Sequence, residues 1–73
     1  MFPKLETFHE DSRWKNRRAG TAQVFAVFDT KAEAVLAGRD TALREGAEHV
    51  VRDAGGRIEQ IIFPGQRPWA GTG

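Results

Sequence analysis

Cysteine is missing from these 73 residues, so neither a disulfide framework nor a thiolate metal site is available to staple the core. That excludes the disulfide-bonded mini-protein class and suits a reducing compartment. Long apolar runs are missing too. Met1-Phe2-Pro3-Lys4-Leu5-Glu6, followed closely by Glu10-Asp11, lacks the apolar stretch of a signal peptide, and nothing resembles a membrane span. The expectation is a cytoplasmic protein with no membrane association. An excess of one charge is likewise absent: 11 basic side chains stand against 10 acidic ones, for a net +1. The whole molecule therefore lacks the electrostatic footprint of a committed nucleic-acid binder.

Reactive chemistry is scarce. Ser12 is the single serine, and His9 and His49 are the two histidines. A catalytic triad needs nucleophile, base and orienting acid within mutual hydrogen-bond reach, and no nucleophile-elbow motif surrounds Ser12. His9 and His49 lack metal-ligand spacing, and Glu10-Asp11 is a short acidic pair suited to solvent. A phosphate cradle needs glycines between a strand and a helix N-terminus. The junction here, Phe28-Asp29-Thr30, has none and carries an acid. The expectation is a chain that is not an enzyme, with no metal and no cofactor.

What is present is a strong helix signal. Thr30 and Glu33 stand at capping-box spacing, with the Thr30 hydroxyl able to cap and Glu33 able to reach back to the Thr30 amide. Gly46 is placed to stop the helix in the left-handed conformation, which predicts a helix from Lys31 to about Glu45. Before it, Trp14 to Arg18 and Ala22 to Phe28 read as strands joined through Ala19-Gly20-Thr21. After it, Glu48 to Asp53 and Arg57 to Phe63 read as a second hairpin through Ala54-Gly55-Gly56. The expected fold class is α+β, a small antiparallel sheet in β-β-α-β-β order with one helix packed on one face. Residues 1–12 show no period and read as an N-terminal arm. Residues 13–63 form the single domain, and 64–73 a Pro/Gly-rich C-terminal tail carrying Trp69.

With Gly20 at the first turn, Trp14 falls opposite Ala26 and Asn16 opposite Val24. Trp14, Val24, Ala26 and Phe28 then share one face, and Lys15, Arg17, Gln23, Phe25 and Val27 the other. The helix carries two stripes at 100° per residue. Ala34, Gly38, Thr41 and Ala42 lie on one side, Ala32, Leu36 and Leu43 nearly opposite. Either the small residues face the sheet and free Leu36 and Leu43 for a partner, or the leucines are the core. In the second hairpin, Val50 or Val51 joins Phe25, Val27 and Ile61 on the open sheet face.

These landmarks together resemble a bacterial family, domain of unknown function 2188. The matching residues are Trp14, Gly20, Phe28-Asp29-Thr30-Lys31-Ala32-Glu33-Ala34, Arg44-Glu45-Gly46-Ala47, Gly56-Arg57-Ile58, and Gly65 with Pro68. They span roughly Trp14 to Trp69. Asn16 and Thr41 stand where the pattern has apolar residues, and Pro64 and Arg67 where it has an aromatic and an acid. The resemblance implies the fold and carries no activity.

The functional expectation is a non-catalytic interaction module acting as a homodimer, with Phe25, Val27, Leu36, Leu43 and Trp69 as interface candidates. An unidentified protein partner is the other occupant such surfaces would suit. The alternative is a small nucleic-acid-binding module using Arg13, Lys15, Arg17 and Arg18 around Phe25, where cations flank an aromatic platform. The bland counterpart of that alternative is a charged edge strand protected from aggregation.

Overall fold

The computed structural model describes residues 4–21 and 23–63. Five strands and one helix follow one another as β1 (Lys4–Glu10), β2 (Arg13–Arg18), β3 (Val24–Phe28), α1 (Lys31–Glu45), β4 (Glu48–Arg52) and β5 (Ile58–Ile62). The strands form a single sheet in the order β3-β2-β1-β4-β5. All neighbours are antiparallel except β1 and β4, which run parallel. A parallel partner cannot be reached by a tight turn. The chain therefore leaves the β3 edge through α1, which packs over β3, β2 and β1 before delivering β4.

The α+β class and the helix agree with the sequence reading. Thr30 is extended at φ −123°, and its hydroxyl accepts the Glu33 N–H at 3.2 Å. One detail differs. The Glu33 carboxylate accepts the Thr30 hydroxyl proton at 3.0 Å instead of reaching the Thr30 amide, so the box closes through side chains. Gly46 ends the helix at φ 65° and returns its N–H to Ala42 O.

The segment read as an N-terminal arm requires correction, because residues 4–10 form the central strand of the sheet. The sheet is thus five-stranded and mixed, not four-stranded and antiparallel. Leu5, Glu6, Thr7 and Phe8 are all buried, so β1 carries apolar and polar residues on both faces and shows no alternation. The β2–β3 register also differs, with Trp14 opposite Phe28 and Asn16 opposite Ala26. That two-residue shift keeps Trp14, Ala26 and Phe28 on one face and Lys15 and Val27 on the other, and a bulge between Asn16 and Arg17 then sets Arg17 opposite Val24. The tail and Trp69 lie outside the described residues.

Beneath the helix sit Leu5, Thr7, Asn16, His49 and Val51, the largest fully buried side chains among the described residues. Ala34, Gly38 and Ala42 face them from α1. The small-residue stripe is therefore the packing face, and Leu36 and Leu43 are 73% and 61% exposed.

Candidate interaction surfaces

Close approach decides the helix orientation. A Cβ on Gly38 would lie 2.8 Å from His49 Nε2, 3.0 Å from Thr7 Oγ1 and 3.1 Å from Asn16 Oδ1. Only a residue without a side chain fits above this polar cluster. With the small stripe committed to the sheet, α1 turns Leu36 and Leu43, two turns apart, outward. Asp40 and Arg44 form an ion pair on the exposed side of the helix at 2.6 Å. Leu43 also borders a small cleft with Arg39, Ala42, Ala47, His49, Ile62 and Phe63.

The opposite sheet face is built differently from its sequence pattern. Phe25 and Val27 lie on it, 41% and 48% exposed, and Val50, not Val51, joins them opposite Ile61. Its centre is ionic. Glu6 is buried between two arginines, with Arg17 Nε donating to Oε1 at 2.9 Å and Arg52 Nε donating to Oε2 at 3.1 Å. Burial by itself would raise the Glu6 pKa, but the hydrogen bonds and charges of Arg17 and Arg52 outweigh it and hold the carboxyl below its usual value. The Arg17 guanidinium lies 4.2 Å from the Phe8 ring centroid. Phe8 and Val50 are consequently buried, and the exposed apolar residues are separated onto the flanks, Phe25 and Val27 on β3, Ile61 on β5.

Each of the four basic candidates has a carboxylate partner. Arg13 meets Asp29 at 3.4 Å, Lys15 meets Glu10 at 3.1 Å and Asp11 at 3.6 Å, Arg17 holds Glu6, and Arg18 makes a two-pronged pair with Glu45 at 3.0 and 2.7 Å. Lys15 and Arg17 were expected to flank Phe25. The cation over Phe25 is Arg18, 5.3 Å from its ring centroid, while Arg17 covers Phe8. The missing strand accounts for this, because β1 supplies Glu6, Phe8 and Glu10 as neighbours that a β2–β3 hairpin alone does not have.

Nor are the serine and histidines gathered together. Ser12 lies in the exposed β1–β2 turn, and His9 packs against Trp14 with ring centroids 4.9 Å apart. His49 is buried under α1. Its environment holds its pKa down to about 4, first because burial disfavours the charged ring and then because Arg39 adds a positive charge. The Glu6 pair of arginines and the Thr7–Asn16–His49 cluster are absent from the sequence reading. Both hinge on β1, whose residues gave no periodic signal.

Among the described residues, no helix is long and apolar enough to cross a membrane. The family model for an uncharacterized protein conserved in bacteria, DUF2188, matches residues 6–62. No curated protein and no solved structure matches the chain.

Proposed function

The chain belongs to the DUF2188 family, and within that family we propose that it is a non-catalytic, cytoplasmic interaction module whose partner is a second copy of itself. One observation carries the reading: α1 spends its small-residue stripe on the sheet and leaves Leu36 and Leu43 in solvent. A helix on a two-layer domain ordinarily turns its largest apolar residues inward. Here the polar cluster beneath Gly38 demands close approach, which commits the small stripe and leaves the leucines for a further layer. A two-fold pairing is the commonest way for one chain to supply that layer. Among the candidates, the leucine ridge fits better than the open sheet face, whose centre is roofed by Arg17, Glu6 and Arg52.

The nucleic-acid reading loses support from the pairing of Arg13, Lys15, Arg17 and Arg18 with carboxylates. Phosphate contact would require breaking those pairs, including the part-buried Arg17–Glu6 bond.

Methyl-labelled NMR tests the surface. Mixed samples of labelled and unlabelled chains should give intermolecular NOEs at the Leu36 and Leu43 methyl groups and none at Val27. NOEs confined to Val27 and Ile61 would move the interface to the open sheet face. Tight, salt-sensitive binding of an oligonucleotide that is lost in Arg18→Ala would replace the proposal with the alternative.

A further inference from the structure

The polar cluster beneath α1 has a fixed direction of hydrogen bonding. Asn16 Nδ2 donates to Ala34 O at 3.0 Å, which aims its Oδ1 at Thr7. The Thr7 hydroxyl spends its only proton on that oxygen, at 2.6 Å. At 2.7 Å from His49 Nε2, Thr7 Oγ1 has lone pairs left and no proton, so the imidazole must be the donor there. His49 is thereby assigned as the Nε2–H tautomer, with a bare lone pair on Nδ1.

Among the described residues that buried Nδ1 has no hydrogen-bond partner, and neither has the Nε–H of Arg39. One group only accepts and the other only donates. Both residues line the same cleft, otherwise walled by apolar groups of Ala42, Leu43, Ala47, Ile62 and Phe63. The cleft's volume is about 10 Å³, roughly one water's worth. A metal ion would meet the Arg39 charge with a single nitrogen ligand, and an anion would face the Nδ1 lone pair. A neutral group that accepts once and donates once satisfies both walls.

We propose that the cleft is a site for one internal water, which accepts from Arg39 Nε–H and donates to His49 Nδ1. The water completes a one-way chain running from Arg39 through water, His49, Thr7 and Asn16 to Ala34 O. It begins and ends on α1, passing through β4, β1 and β2 on the way. The helix is thus tied to three strands by one continuous set of donors, each buried polar atom in the chain being used. The burial that keeps the imidazole neutral maintains the Nδ1 acceptor the water needs.

The test is a crystal structure of the full chain at about 1.2 Å or better, joined to histidine ¹⁵N NMR in solution to assign the tautomer. The expected result is a density peak about 2.7–3.2 Å from both Arg39 Nε and His49 Nδ1, with the proton on Nε2. A proton on Nδ1, a direct Arg39–His49 hydrogen bond, or no peak between the two nitrogens would overturn the proposal.

Discussion

Gly38 sits where helix and sheet come closest, and its missing Cβ matters more than its poor helix propensity. Replacement by alanine gains about 1 kcal/mol of propensity. It also drives a methyl group to within 2.8 Å of His49 Nε2 and into the hydrogen bonds beneath. Gly38→Ala should therefore lower stability by roughly 1–3 kcal/mol net, as overpacking does, and urea melts at pH 7 check this. An unchanged or higher midpoint would mean that the cluster is not packed against the helix. His49 supplies a pH signature. Its folded pKa of about 4 lies below the ordinary 6.5, so between those values the unfolded chain binds a proton that the native state refuses. Stability should fall as pH drops from about 6.5 to about 4, by a total on the order of 3 kcal/mol, and then level off for this group. Gln in place of His49 retains an N–H for Thr7 and does not titrate. Melts of His49→Gln should lose the dependence in that window and keep the one set by Glu6, whose lowered pKa makes its contribution disappear as pH falls below the usual 4.5. Of these residues, Gly38 was legible as part of a small stripe. Asn16 and His49 were not, because a buried polar residue looks like a surface one until its partners from other strands are known.

At the scale of elements, α1 was readable because its signals are local. Thr30 and Glu33 are three residues apart and Gly46 follows directly. Thr30→Ala should cost roughly 1 kcal/mol through loss of the cap, and denaturant midpoints test it. β1 was unreadable for two physical reasons. It is central and covered on both faces, and its polar positions are satisfied by distant residues, Glu6 by Arg17 and Arg52, Thr7 by Asn16 and His49. The β1–β2 turn also conceals itself. Asp11 and Ser12 both have positive φ, 54° and 64°, where a tight hairpin prefers Asn-Gly or Asp-Gly. Ser12→Gly should stabilise the chain by roughly 1 kcal/mol, the usual relief for a non-glycine residue held in the left-handed region. A lower midpoint in thermal or urea melts would show that the Ser12 side chain contributes something its exposure does not suggest.

For the whole molecule, size sets the terms. A chain of 73 residues buries a modest core, and this one fills part of it with polar groups, Glu6, Thr7, Asn16 and His49. A second copy packed on Leu36 and Leu43 would bury apolar surface that the single chain leaves mostly exposed. The sequence indicated that one helix stripe was surplus. It left open which one, since that choice rests on the cluster under Gly38 and so on β1. Sedimentation equilibrium over a wide concentration range tests the dimer most directly, comparing the unaltered chain with a Leu36→Glu, Leu43→Glu variant whose fold is checked by circular dichroism. The account predicts about twice the 8.1 kDa chain mass for the first and the single-chain mass for the folded variant. A single-chain mass for the unaltered protein at its highest soluble concentration, or a dimer that survives both substitutions, would contradict it.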